Sequence, residues 1–173
     1  MNRTATMALA GFLFLPMLLG CGYHLEGRGT SLPPEIERVT IPTMKNHTLE
    51  AGIEDVLTRA LIREFNLDGR LKTVREEQAD AVLEGSIEEF FISSVSYDAA
   101  GLALEYRIRV SLALTLRRTV TGEILWEDAS LRDFDEYQVG SGALTNEARK
   151  REATEEMARQ MAETIHDLIV ERF

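Results

Sequence analysis

The single cysteine of this 173-residue chain, Cys21, is the side chain best placed for covalent chemistry. One cysteine cannot form an internal disulfide or a cysteine-rich metal site. Cys21 directly follows an apolar run over residues 4–20, and Arg3 is the only charged residue before Glu26. A positive start and a short apolar stretch are typical of a secretory signal, and this stretch is shorter than the roughly 20 residues of a transmembrane helix.

The residues that end this run, Leu18-Leu19-Gly20-Cys21, resemble a bacterial lipobox. In such a signal the cysteine thiol receives a diacylglycerol, the peptide is cut just before the cysteine, and the new amine receives an N-acyl chain. Two or three acyl chains anchor a protein firmly, because each buried methylene contributes about 0.8 kcal/mol. We therefore expect residues 1–20 to be a removed signal peptide and Cys21 to be lipidated. The alternative is a secreted protein with a free thiol.

Other residues that could support catalysis or metal binding do not converge. The histidines lie apart, without the i, i+4 spacing of a helical metal site, and we expect solvated or capping roles for His24, His47 and His166. An acidic cluster without the EF-hand spacing is expected to form a solvated strand end, at Asp133, Asp135 and Glu136. No phosphate-binding loop or nucleophile elbow is recognisable, so we predict no metal, no cofactor and no enzymatic activity. An envelope enzyme would need a convergent base and nucleophile.

Composition predicts one acidic globular domain. The chain has 45% hydrophobic and 28% charged residues, and 19 basic against 29 acidic side chains give a net charge of −10. Such a balance repels phosphate polyanions, so nucleic acid is not an expected partner. Glycines and prolines over residues 21–34 indicate a flexible linker behind the lipidated cysteine, and residues 35–173 are expected to form the single folded domain.

The spacing of apolar residues predicts the first elements. A short strand over 36–41 is followed by a loop with Lys45, Asn46 and His47. A helix then begins after Thr48 as N-cap and ends near Gly69. Its apolar stripe is expected to comprise Leu49, Ile53, Val56, Leu57, Ala60, Leu61 and Phe65. A strand over 71–74 would then form a parallel crossover with the first strand.

Three longer strands and a second helix complete the predicted fold. One strand begins at Ala81 and changes phase over 89–92, as a β-bulge causes. Every even residue from Leu104 to Leu116 is apolar, so that strand buries one face. After a turn at Thr121-Gly122 a partner strand runs over 123–133 with one apolar face, at Leu125, Ala129 and Leu131. The last helix has a stripe of Ala148, Ala153, Met157, Met161, Ile165, Leu168 and Ile169.

This pattern predicts an α+β fold of order β-α-β-β-β-β-α. Two amphipathic helices cover one face of a mixed, mostly antiparallel sheet and make a two-layer sandwich.

The sequence also resembles the LptE-type lipopolysaccharide-assembly lipoproteins. The likeness extends over nearly the whole chain after the signal, and four segments carry it: Cys21-Gly22-Tyr23-His24-Leu25, Ile41-Pro42, Ala79-Asp80-Ala81-Val82-Leu83-Glu84-Gly85 and Thr121-Gly122-Glu123-Ile124-Leu125-Trp126.

The resemblance implies an outer-membrane lipoprotein that faces the periplasm. Such a protein would assist assembly of, and plug, the β-barrel translocon for lipopolysaccharide, and would itself touch the glycolipid. Gly22 is not the aspartate that retains lipoproteins in the inner membrane of enteric bacteria, which agrees with the outer membrane. A lipoprotein chaperone or pilotin of another envelope assembly, such as a secretion pore, would share the anchor, size and acidity.

Four arginines are candidates for contact with lipopolysaccharide or the partner. The strand over 104–116 should measure about 43 Å, so its hairpin should extend beyond the core at one or both ends and carry Arg117 and Arg118 at its tip. Arg107 and Arg109 lie on the solvated face of the same strand. Arginine pairs with phosphate in a bidentate way. Alternatively, these arginines neutralise neighbouring carboxylates across the sheet, with each exposed pair contributing less than about 1 kcal/mol.

We predict that Cys21→Ala blocks lipidation and the cleavage that depends on it. The expected product is a precursor longer by about 20 residues, or a mis-cleaved soluble form, because no other residue can accept the diacylglycerol. Gel mobility and membrane fractionation measure this. Mature-sized protein that remains in the membrane fraction would refute it.

Overall fold

The structure, a computed structural model, describes residues 32–170, and these contain six strands and two α-helices. The strands are β1 Arg38–Thr40, β2 Lys45–Asn46, β3 Lys72–Thr73, β4 Ala81–Tyr97, β5 Ala103–Arg118 and β6 Ile124–Gln138. The helices are α1 Ile53–Asp68 and α2 Ala143–Val170, and a 3-10 turn covers Glu76–Gln78. The predicted signal peptide and Cys21 lie outside the described residues.

The strands form one mixed sheet of order β3-β1-β4-β5-β6, with β2 also paired to β4. The short strands pair in parallel, and the three long strands pair antiparallel. The predicted α+β class is confirmed, and so is the parallel pairing of β1, before α1, with β3, after it. β2 was not predicted: Lys45 and Asn46 form a two-residue strand instead of a loop, because they pair with Ser86 and Ile87 of β4.

The even face of β5 is the centre of the core. Its five most buried members, at most 2% exposed, are Ile108, Val110, Leu112, Leu114 and Leu116. They join the apolar stripes of α1 and α2 in one cluster, so both helices cover this face of the sheet. The opposite face, here called the outer face, has no helix on it within the described residues.

The predicted start of α1 is wrong. The N-cap is Gly52, in the left-handed region at φ 88°, and Leu49 is fully exposed. Asn46 causes this difference, because its amide nitrogen donates to the Glu50 carbonyl and to the Glu54 carboxylate, both at 2.8 Å. These bonds hold the chain in a turn until Gly52. The predicted glycine cap at the other end is confirmed at Gly69, whose N–H donates to the Phe65 carbonyl.

Irregularities in the long strands displace several predicted positions. The predicted bulge in β4 is confirmed between Ile87 and Glu89. β6 runs five residues beyond its predicted end, and a further irregularity opposite Leu112 and Leu114 leaves Ala129 exposed instead of on the apolar face. In α2, Ala148 is also exposed. α2, at about 42 Å, is longer than α1, at about 24 Å.

Asp80 links β1 to the start of β4. Its carboxylate accepts hydrogen bonds from the Arg38 backbone N–H at 2.9 Å and from the Arg38 Nη2 at 2.6 Å. It also accepts the Glu37 N–H at 3.3 Å. The guanidinium bond from Arg38 holds the pKa of the Asp80 carboxyl below its usual range.

Five residues later, a Cβ at Gly85 would lie 3.0 Å from both Leu114 and Met44, so glycine allows their close packing.

We predict that Asp80→Asn lowers the free energy of unfolding by about 1–3 kcal/mol at pH 7, because charge-assisted bonds are lost. A carboxyl whose pKa is lower in the folded state contributes stability above its unfolded pKa of about 3.9 and loses it as the pH falls through the folded pKa. The difference between the variant and the wild type should therefore vanish in acid. Denaturant melts at several pH values test this, with exposed Glu77→Gln as control. An equal difference at pH 7 and pH 3 would contradict it.

Candidate functional site

The four arginines predicted to contact lipopolysaccharide or the partner lie on β5, but in two separate places. Arg107 and Arg109 are on the outer face of the sheet. Arg117 and Arg118 end the strand, beside the start of β4. At about 3.3 Å per residue, the two pairs are about 30 Å apart. The structure therefore does not join them in one patch.

The turn after β5 does not extend beyond the core, so the predicted overhang at this tip is wrong. The Thr119 N–H donates to the Asp80 carbonyl at 2.9 Å, which holds the turn against the start of β4. Arg118 lies 3.1 Å from both Glu35 and Glu123, and its side chain is 20% exposed. The hydrogen bond to Glu35 is the largest cause of a raised pKa at Arg118. Arg117 is 3.7 Å from Glu84.

The other pair of arginines lies among exposed aromatic rings. Arg109 is directly opposite Phe91 of β4 and Phe134 of β6. Directly opposite residues share a face, so the three side chains form a row across the outer face, and Arg107 follows in the next row. We call these four residues the outer-face cluster: Phe91, Arg107, Arg109 and Phe134. The two rings are 50% and 54% exposed.

Each arginine of the outer-face cluster contacts one ring and one carboxylate. The Arg107 guanidinium carbon lies 4.7 Å from the Phe134 ring centroid, and its Nε donates to Glu136 at 2.7 Å. The Arg109 guanidinium carbon lies 5.9 Å from the Phe91 centroid, and its Nη1 is 3.8 Å from Glu89. Stacking on aromatic faces fixes a guanidinium without using all of its donors. The arrangement therefore presents oriented cationic donors next to apolar surface.

The far end of the β4–β5 hairpin is the part of the sheet that extends beyond the core. Its exposed apolar residues are Tyr97 at 60%, Leu102 at 66% and Leu104 at 50%. The intervening turn is held by Asp98, whose carboxylate accepts the N–H groups of Ala100 and Leu102. The predicted overhang therefore occurs at the opposite end from Arg117 and Arg118, and it is apolar.

His166 was predicted to be solvated or capping, and this is wrong. It is 3% exposed and lies between the two helices, with its ring 5.2 Å from that of Phe65. Its Nε2 is 3.2 Å from the Asp68 carboxylate, and its Nδ1 is 3.3 Å from Asp167. The helix pairing that buries it depends on residues about 100 positions apart, which local spacing does not show.

The remaining predicted features have these placements. Cys21 lies outside the described residues. Among residues 32–170, none of the helices combines the length and apolarity that a membrane-spanning helix requires. Over the same range, no group of three or more histidine, cysteine or acidic side chains is arranged to hold a metal ion. Asp133, Asp135 and Glu136, expected at a solvated strand end, lie within β6.

The aromatic members of the outer-face cluster were missed by sequence reasoning. Phe90 packs on the core, whereas its neighbour Phe91 is exposed. The bulge at Glu88 decides whether Phe90 or Phe91 points toward the helices. Phe134 was missed because the predicted strand ended at Asp133. The alternation of Phe134 with its acidic neighbours was the available signal.

A comparison with protein families decides the identity. The family model described as LptE, lipopolysaccharide-assembly, matches residues 36–169. The chain belongs to the LptE family. The resemblance seen in the sequence is thus confirmed over nearly all of the folded domain, and a role in lipopolysaccharide assembly follows in general terms. No curated protein matches the sequence significantly.

Solved structures support the same fold for this LptE-family chain. The rare lipoprotein B from Shewanella oneidensis is 18% identical, covers 74% of this chain and 89% of its own, and has a TM-score of 0.52. A minor lipoprotein from Acinetobacter baumannii is 13% identical, with 79% and 92% covered and a TM-score of 0.53. The PelC dodecamer from Paraburkholderia phytofirmans is 14% identical, with 81% and 92% covered and a TM-score of 0.52. At these identities the likeness concerns the fold alone.

Proposed function

We propose that this LptE-family protein is an outer-membrane lipoprotein, anchored through Cys21, that assists assembly of a β-barrel lipopolysaccharide translocon and plugs it. Its folded domain faces the periplasm or the inside of the barrel, and it binds lipopolysaccharide through the outer-face cluster. It performs no catalysis itself. The family match supports the general role, and the signal-like N-terminus supports the anchor.

The observation that carries the binding proposal is the composition of the outer face. Lipopolysaccharide is an anionic amphiphile, so a matching surface needs cations beside apolar groups. Arg107 and Arg109 provide the cations, and Phe91 and Phe134 provide the apolar groups. Arginine donors form bidentate bonds to phosphate oxygens.

Phosphate must replace the present carboxylate partners of these arginines. The side chains of the Arg107–Glu136 pair are 37% and 33% exposed, and those of the Arg109–Glu89 pair are 44% and 43% exposed. Exposed ion pairs of this kind contribute about 0–1 kcal/mol, so exchange of one anion for another costs little. Arg118 is less available, because two carboxylates and the adjacent turn enclose it.

The net charge of the chain restricts where on its surface lipopolysaccharide can bind. The chain carries −10 overall, so most of its surface repels a phosphorylated lipid. Binding therefore requires a local cationic surface, and the direction of approach is restricted to that surface. The uncovered outer face meets this requirement without displacing either helix.

We predict that Arg107→Gln with Arg109→Gln weakens lipopolysaccharide binding by about tenfold or more, because hydrogen bonds to a charged group contribute about 1.5–3 kcal/mol each. The full chain in detergent is titrated with lipopolysaccharide, and melting is checked. The matched control is Arg117→Gln with Arg118→Gln, which should retain binding. Loss of binding only in the control pair would place the contact at the other end of β5.

We predict that the tagged full chain co-purifies with a β-barrel lipopolysaccharide-assembly protein from solubilised outer membranes, and that its depletion lowers the amount of that barrel. A plug inside a barrel buries a large shared surface, so the complex should survive mild detergent. Mass spectrometry of the co-purified proteins measures this. Recovery of a secretion pore instead would favour the pilotin alternative and contradict the proposal.

A further inference from the structure

Ser111 of β5 carries a buried hydroxyl group that the fold does not use. It is 6% exposed, and among residues 32–170 its hydroxyl has no hydrogen-bond partner. The other two buried hydroxyls of that range, on Thr58 and Thr154, donate to helix carbonyls at 2.6 Å and 2.7 Å. Buried polar groups are nearly always paired, so an unpaired one requires an explanation.

The position of Ser111 is one row from the outer-face cluster. Ser111 is directly opposite Glu89 of β4 and Arg132 of β6, and directly opposite residues share a face. Arg132 is a diagonal neighbour of Arg109, about 7–8 Å away and within reach of a long side chain. Within the described range, the one fully enclosed side-chain atom without a partner is Nε2 of His166. The Ser111 oxygen therefore still reaches solvent, at the foot of the two arginines.

Arg132 differs from the arginines already described because it has no carboxylate partner. It is exposed, and over the part of the chain that the structure describes its guanidinium makes no ion pair or hydrogen bond. Arg107 and Arg109 each lie near one carboxylate. An unpaired cation beside these two gives this part of an acidic chain a local positive potential.

We propose that Ser111, Arg109 and Arg132 form a binding site for one phosphate group of the glycolipid, and we call these three residues the Ser111 subsite. This inference rests on the proposed lipopolysaccharide contact and names the chemical group that the contact recognises. The Ser111 hydroxyl donates from the floor, and the two guanidinium groups donate from the sides.

The geometry of the donors favours phosphate over a carboxylate. A phosphate monoester carries a charge of about −1.5 to −2 at pH 7 and has three strong acceptor oxygens. Donors that converge from three directions match three such oxygens, whereas a carboxylate has two oxygens in one plane. The exposed rings of Phe91 and Phe134 lie in the adjacent row, so a phosphate attached to an amphiphile gains apolar contacts that free phosphate lacks.

Glu89 competes with phosphate at the Ser111 subsite. Its carboxylate lies 3.8 Å from Nη1 of Arg109, and the two side chains are 43% and 44% exposed. Phosphate must therefore displace this carboxylate into solvent, which an exposed pair permits at little cost. Removal of the Glu89 charge should strengthen binding, which is the opposite of the effect expected for the three residues of the subsite.

Titration of the full chain in detergent with two forms of one glycolipid tests the proposal. The forms are lipopolysaccharide and the same lipopolysaccharide after enzymatic removal of its phosphates. The parent chain should bind the dephosphorylated form about tenfold more weakly. Ser111→Ala should weaken binding of the phosphorylated form about fivefold and Arg132→Gln about tenfold, and both should reduce the preference for phosphate. Glu89→Gln should increase that preference about threefold.

Two matched controls separate the subsite from general effects. Ser93→Ala removes a hydroxyl from the outer face opposite Arg107, and Arg151→Gln removes an exposed cation from α2. Both should retain the binding of the parent chain. Thermal melts check folding, and Ser111→Ala should melt no lower than the parent, because its hydroxyl has no partner in the fold. Equal weakening by Arg132→Gln and Arg151→Gln would show an effect of net charge alone and overturn the proposal.

The remaining outcomes distinguish this proposal from the proposed function. A parent chain that binds both forms equally would overturn the Ser111 subsite and leave lipopolysaccharide binding intact, whereas a parent that binds neither form would overturn both. An unchanged phosphate preference in folded Ser111→Ala and Arg132→Gln would also overturn the subsite. Inorganic phosphate at the concentration of the glycolipid should not displace it. Displacement at that concentration would assign the site to free phosphate and contradict the lipid source.

Discussion

The alternation of apolar and polar residues in β5 is the constraint on which the rest of the fold depends. Five consecutive even positions are almost inaccessible to solvent, from Ile108 to Leu116. β4 and β6 pair along nearly the whole strand and extend that apolar face on both sides. A face of this size must be covered, and α1 and α2 are the elements that cover it. The short strands β1 and β2 then pair with β4, where Asp80 fixes β1 through Arg38, and β3 pairs with β1.

Because the helices cover only one face, the opposite face remains available for binding. Strand pairing places Phe91, Arg109 and Phe134 in one row there, although they lie on three different strands. The bulge in β4 contributes to this arrangement, since it turns Phe91 outward while Phe90 packs on the core. The same strand lengths leave the far hairpin beyond the helices, so the uncovered surfaces are a direct consequence of long strands with a shorter helical cover.

The arginines at the two ends of β5 differ in their electrostatic surroundings. All four arginines lie near carboxylates, as an acidic chain requires, but the local structure differs. Arg118 is enclosed by Glu35, Glu123 and the turn after the strand, so its ion pairs support the fold. Arg107 and Arg109 combine exposed ion pairs with aromatic stacking, which orients the guanidinium groups and leaves their partners exchangeable. Position in the sheet, and not charge alone, distinguishes a structural arginine from a candidate binding arginine.

The sequence by itself determined the elements with strong local periodicity, because alternation in β5 and the 3.6-residue stripes of the helices are properties of neighbouring residues. It therefore predicted the α+β class, the glycine cap at Gly69 and the family. Tertiary structure decided what depends on distant pairing. The hydrogen bond from Asn46 to Glu54 helps to delay the start of α1 to Ile53. The packing of α1 against α2 buries His166. Register across three strands built the outer-face cluster, since a single bulge reverses which side chain faces the core.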